Sequence, residues 1–120
     1  MTPAAHFLAS WLIAAKVGIN KKERCTLTFI GVAADIDGIG LIVDQLNGNT
    51  DYYSQYHHLI SHNVVFGSLL GALIYMSFKT RKWQLSLCAV MIFSLHLLAD
   101  LLGSGGPYNK NWPITPFYLF

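Results

Sequence analysis

The 120-residue chain predicts an all-α fold, a small polytopic membrane bundle of about four helices in one domain over residues 1–120. Three observations predict it. The composition is 53% hydrophobic and only 12% charged, against about a quarter charged in a typical soluble domain, and mean hydropathy is +0.42. A soluble bundle of this size needs charges on its outer faces, and here they are missing. Four apolar stretches recur, over residues 4–19, 27–43, 64–78 and 83–102. The basic residues gather in two of the connections between them.

The first stretch follows Pro3, which suits the first turn of a helix. No basic residue precedes it, Lys16 lies inside it, and no small-x-small cleavage site follows. It therefore reads as a retained helix, compatible with signal-anchor behaviour. Lys21-Lys22-Glu23-Arg24 ends it. The second stretch carries Asp35 and Asp37, then Gly38 and Gly40, which favour a break or a C-terminal cap. Residues 46–55 are polar, with Asn47-Gly48-Asn49 as a turn. Lys79 to Lys82 tightly connects the last two stretches, and residues 103–107 end the fourth. Crossing about 30 Å of hydrocarbon takes about 20 helical residues. The fourth stretch meets that length, the second nearly does, and the first and third are short. Gly67, Gly71 and Ala72 read as small residues for close helix packing. Lys16, Tyr52, Tyr53, Tyr56 and the tryptophans read as interface anchors. Cys25 and Cys88 are isolated; Cys88 reads as a small packing hydrophobe and a disulfide framework is not expected.

Charge sets the orientation. Lys21, Lys22 and Arg24 lie in one connection and Lys79, Arg81 and Lys82 in another. The 44–62 connection holds Asp44 and Asp51 and no Lys or Arg. The excess of basic residues in cytoplasmic loops places both basic connections inside and the termini and 44–62 outside. In that topology His6, His57, His58, His62, His96 and Asp100 all fall near the outer ends of their helices, with Asp35 and Asp37 deeper. A net charge of +2 is too small to argue for nucleic acid.

Imidazole and carboxylate are ligands of zinc and its divalent neighbours, and apolar surroundings admit them only when paired or metal-bound. His96 and Asp100, four apart, stack on one helix face. They supply two ligands, or a ligand and the carboxylate that orients it; the plain alternative is a hydrogen-bonded pair near a helix end. His57, His58 and His62 are dense for six residues. In a helix His58 and His62 share a face, a loop-to-helix junction allows other pairings, and the plain alternative is a solvated, titratable helix start. Asp35 and Asp37 are about 200° apart on a regular helix, so either the helix ends there or one of them ligates. His6 gains weight only from sharing the outer face. A P-loop, a G-x-S-x-G and a serine nucleophile with an evident base are all lacking.

Taken in order, His6 in "TPAAHFLA", then "AADIDG", "YHHLISHN", "HLLADLLGSGGP" and "NWPITPF" resemble the bacterial LexA-regulated, membrane-bound metal-dependent hydrolase family. The resemblance covers nearly the whole chain. Members are small polytopic inner-membrane proteins, assigned as hydrolases by likeness to zinc-dependent phospholipase C. The family's early His, Pro-Asp-x-Asp, His-Arg-Gly-x-Thr-His-Ser and His-x-x-x-Asp fall on His6, Asp35 and Asp37, His57 and His62, and His96 and Asp100. Ala34 replaces the proline, His58 the arginine, and Ser61 and Asn63 the Thr and Ser. Without that arginine the chain lacks a fixed anion-binding fork, so a shared substrate does not follow. Relatives continue past a "WPITPF"-like segment, so the resemblance reads the chain as ending short at Phe120.

The expected function is a metal-dependent hydrolysis at the non-cytoplasmic face of a bacterial inner membrane. The metal ligands are drawn from His6, Asp35, Asp37, His57, His62, His96 and Asp100. Zinc is the first choice, with manganese or another divalent ion as the alternative; these candidates outnumber the ligands of one tetrahedral ion. Bound water, acidified to a pKa of about 7, would attack a phosphoester or lipid-like substrate, with Asp37 as the catalytic general base. Membrane lipids and a small-molecule or lipid substrate are the expected partners. The rivals are a non-enzymatic metal carrier or sensor, a haem bundle with axial ligands among His6, His62 and His96, and a structural membrane protein.

Overall fold

Helix boundaries follow caps rather than the edges of the apolar stretches. The computed structural model describes residues 2–48, 50, 52–53 and 61–103. Among them are five α-helices and one 3-10 helix, and no strand. Helix α1 (Pro3–Val17) starts behind Thr2, whose hydroxyl accepts the Ala5 N–H. Helix α2 (Lys21–Ile30) starts behind Asn20, whose Oδ1 accepts the Glu23 N–H at 2.9 Å. Glu23 answers by accepting from the Asn20 amide and the Ile19 N–H. This reciprocal cap puts the basic residues 21–24 in the first turn of a helix, where the sequence reading had them end one.

The second apolar stretch is not one helix. Helix α2 stops at Ile30, a 3-10 helix runs Ala33–Gly38, and α3 (Ile39–Asn47) follows. The two halves are bent by 57°. The break precedes the aspartates, at Gly31, rather than following them at Gly38. Helix α4 (Val64–Ser77) is capped by Asn63, which accepts the Phe66 N–H at 2.8 Å, and α5 (Lys82–Gly103) is the longest. Among the described residues, by length and composition, α5 alone can cross a membrane unaided; the bent pair qualifies only if counted as one span, and α4 is a shorter apolar helix. At 15 residues, α1 is roughly 22 Å long, short of the hydrocarbon thickness.

The core joins Ala14 of α1, Leu27 and Ile30 of α2, Ala34, Ile74 of α4, and Leu85, Ala89, Ile92, Phe93 and Leu97 of α5. Cys88 packs against it as a partly buried hydrophobe. Helices α4 and α5 approach closely because Gly67 and Gly71 face the partner. A Cβ at Gly67 would overlap the Phe93 ring, and one at Gly71 would stand 2.6 Å from Val90. Ala72, expected in the same seam, is exposed. Outward, Leu8, Leu12, Leu69, Leu73, Met76, Leu87, Met91 and Leu98 are all exposed. Water-soluble monomers rarely present so continuous an apolar surface; a hydrocarbon surround makes it neutral.

Both basic connections meet at one end. Arg81 Nη1 donates to Glu23 Oε2 at 2.8 Å, and its Nη2 donates to the Val17 carbonyl at 3.2 Å. Arg24 Nε donates to the Gly18 carbonyl at 2.8 Å. Glu23 is 2% exposed, so its charge needs this partner. Arg81 sits at φ 53, a left-handed conformation costly for a side-chain-bearing residue. Arg81→Met is therefore expected to destabilise the fold by about 3 kcal/mol, since it strands a buried carboxylate. A thermal melt of detergent-solubilised protein that matched the parent would refute the latch.

Candidate metal centre

The opposite end, roughly 20 Å up the helices, gathers the imidazoles and carboxylates. Four segments supply them: α1 through His6, the 3-10 helix after α2 through Asp35 and Asp37, the residues just before α4 through His62, and α5 through His96 and Asp100. One oxygen or nitrogen each from Asp35, His62, His96 and Asp100 lies within 4.8 Å of all the others, a group able to hold a metal ion.

His96 and Asp100 share a face of α5, as their spacing predicts, with Nε2 and Oδ2 3.0 Å apart. His96 Nδ1 is 2.7 Å from the Gly31 carbonyl. A carbonyl only accepts, so Nδ1 donates to it and Nε2 faces into the cluster. His62 is built differently. It sits off the helix, next to the cap residue Asn63. Its neighbour Ser61 donates to the Ala34 carbonyl, which pins His62 against the 3-10 helix. His62 Nδ1 lies 3.2 Å from Asp37 Oδ2, while Nε2 faces His96 Nε2 at 3.4 Å, Asp100 Oδ2 at 3.4 Å and Asp35 Oδ1 at 4.0 Å.

The two aspartates are both engaged. The tight 3-10 turn sets Asp35 toward Nε2 of His62 and Asp37 toward Nδ1 of the same ring. Asp35 Oδ1 is also 3.7 Å from His96 Nε2. Asp35 Oδ2 is buried and has no hydrogen-bond partner among the described residues, which is rare for a native carboxylate. His6 reaches the cluster from outside. Its Nε2 lies 2.9 Å from Asp100 Oδ1, and its ring stacks on His96 with centroids 3.7 Å apart. His57 and His58 lie outside the described residues, as does the "NWPITPF" segment.

These distances fit one cation. A tetrahedral ion with bonds of about 2.0–2.1 Å sets neighbouring ligand atoms about 3.3 Å apart. The measured separations of 3.0, 3.4, 3.4, 3.7 and 4.0 Å bracket that value. The set resembles a metal shell further out as well, because each histidine holds a carboxylate or carbonyl on its other nitrogen.

His62 carries a proton in this arrangement. Burial opposes its charge, but hydrogen bonds to Asp100 and Asp37 and their negative charges outweigh that and push the imidazole up to about 9. The group holds a proton where a cation would bring its own charge.

Sequence reasoning missed Gly31 and Ser61. Gly31 was legible as a lone glycine inside an apolar helical pattern; a Cβ there would overlap Ser10. That close approach of α1 and α2 delivers the carbonyl that orients His96. Ser61 was legible only as the residue in place of the motif's threonine; its bond to the Ala34 carbonyl was not.

Neither the curated proteins nor the solved structures match the chain. The family comparison does, over residues 1–119, and these include every residue of the cluster and both ends of the bundle. The chain belongs to the YdjM inner membrane protein family, the LexA-regulated type of membrane family that its ordered motifs resemble.

Proposed function

We propose that this chain is a multi-pass inner-membrane hydrolase that uses a divalent metal, zinc first, on a phosphoester. One observation carries the reading: four ligand atoms from three distant segments lie within 4.8 Å of one another. A cation held there supplies Lewis acidity and a water acidic enough to ionise near neutral pH. Asp35, His62, His96 and Asp100 hold it. His6 positions Asp100, and Asp37 positions His62 through Nδ1. The basic end lies in the cytoplasm and the cluster at the other face, which agrees with the charge of the connections.

A second reading is favoured by a specific observation. Four protein donors already close a tetrahedral shell, as in sites that only bind. The hydrolase reading requires one donor to leave room for water. Asp35 makes the longest separations, and its unpartnered Oδ2 is placed to take a proton instead. Purified protein loaded with zinc or manganese is expected to hydrolyse bis(4-nitrophenyl) phosphate, with turnover lost to a chelator and restored by metal. Stoichiometric metal without turnover establishes the binding-only reading.

Asp37→Asn separates positioning from catalysis. As a positioning residue, its loss lowers metal affinity by about 10–100-fold while turnover at saturating metal persists. Unchanged metal affinity with collapsed turnover would make Asp37 the base. Metal binding is also expected to release protons. A cation at Nε2 of His62 would displace that proton to the buffer, so affinity should rise by about tenfold per pH unit for each proton displaced, up to about pH 9. The sign for the metal-free protein is opposite. The raised imidazole stabilises the fold fully below its ordinary 6.5, and that contribution fades as pH approaches 9. A proton count of zero by calorimetry in buffers of different ionisation enthalpy would contradict this.

A further inference from the structure

Between α1 and α5 runs a groove of about 330 Å³ that reaches His6 and His96. This is the low end of small-molecule sites. Two helical stripes line it: Ala5, Ala9 and Ile13 on one wall, Ile92, Leu95 and Ala99 on the other. Alanines on α1 and at the rim of α5 keep it open for roughly 12 Å along the helices.

We propose that this groove holds one acyl chain of a bilayer lipid, with the chain's ester end level with His6 and His96. Three features argue for hydrocarbon. All but one of the groove's side-chain polar groups are already engaged: the Ser10 hydroxyl donates to the His6 carbonyl at 2.6 Å, His6 Nε2 is held by Asp100, and both His96 nitrogens are used, which leaves His6 Nδ1. A polar ligand would gain little there, whereas each methylene moved from water gains about 0.8 kcal/mol. Next, the groove is continuous with exposed apolar side chains of the one helix able to span a bilayer unaided, Met91, Leu95 and Leu98. A chain already in the membrane enters sideways without crossing water. Finally, its upper rim at Ala5 and Ala99 stands level with Asp100, so a headgroup emerging there arrives beside the cluster. The acyl-chain site stands on this geometry; that the bound lipid is a substrate rests on the hydrolase reading, whose phosphoester it would supply.

The test uses full-length protein in phosphatidylglycerol–phosphatidylethanolamine nanodiscs doped with a phospholipid carrying a diazirine midway along one acyl chain. After irradiation, labelling is mapped by peptide mass spectrometry and metal content is measured in parallel. Labelling is expected to concentrate on residues 5–13 and 92–99. It should fall at least fivefold in Ala9→Phe and in Ala99→Leu, which fill the groove from opposite walls. Ala72→Phe, on the exposed face of α4, should leave it unchanged, and all three variants should keep metal. Uniform labelling of every outward apolar face, indifferent to the fillers, would mean annular lipid only and overturn the proposal. So would labelling that spares residues 5–13 and 92–99 altogether, which would mean that another segment of the chain or a second copy covers the groove. Labelling that persists in a protein holding no metal sinks the hydrolase reading and leaves the groove intact.

Discussion

Replacing His62 and His96 together by alanine is expected to take bound metal from about one equivalent per chain to background. The two rings supply half of the converging donors, and they are the nitrogen half, the share that distinguishes zinc from magnesium or calcium. Their removal also leaves Asp35 and Asp100 as neighbouring carboxylates without an intervening positive partner, and like charges in a buried site repel. Affinity should therefore fall well beyond the 10–100-fold typical of losing an outer orienting group. Elemental analysis after extensive dialysis, beside the parent protein, reads the result. Equal metal in both would defeat the proposed centre; equal and negligible metal would favour a polar cluster whose members only satisfy one another. A visible absorption band in the parent, absent from the double variant, would instead revive the haem alternative through His62 or His96.

Gly31→Ala should be nearly as damaging, although it removes no ligand. The added methyl overlaps Ser10 Oγ and Cβ and comes within 3.2 Å of Ile92 Cγ2. Overpacking of this kind costs about 1–3 kcal/mol, and the strain falls on the peptide whose carbonyl sets the His96 tautomer. Metal affinity is expected to drop by about 10–100-fold while helical content by circular dichroism is kept. The rescue is diagnostic. Ser10→Gly removes the two overlapping atoms, so the Gly31→Ala/Ser10→Gly pair should regain most of the lost affinity. Failure of that rescue would mean that Gly31 acts through something other than its contact with α1.

Much of the site was legible because its residue types are improbable in apolar surroundings. His96 and Asp100 are the clearest case: spacing of four along a helix fixes their shared face, and the structure places their ligand atoms 3.0 Å apart. The two basic connections were legible too, since charge density needs no coordinates, and they meet at the end opposite the cluster. Asp35 and Asp37 were harder. On a regular helix they diverge, and the sequence reading allowed a helix end or a single ligand. The 3-10 turn resolves them onto opposite nitrogens of one imidazole, a solution that exists only once His62 arrives from elsewhere in the chain. Position along the apolar stretches misled in one place. Residues 21–24 look like a loop by charge, yet Asn20 and Glu23 cap a helix through them, because local hydrogen bonds to free N–H groups outweigh the preference of lysine for a connection.

Composition, periodicity and charge thus determined by themselves that the chain is helical, apolar on its outside, and polar-tipped at one end. Those properties depend on neighbours within a few residues, which the order of amino acids states outright. Which tipped residues converge, which ones orient the others, and where an apolar groove opens were decided by tertiary structure alone. They depend on contacts between residues 25 to 94 positions apart. Such contacts are set by the break at Gly31, the seating of α4 on α5 at Gly67 and Gly71, and the groove between α1 and α5; a local pattern marks the glycines but not what they pack against.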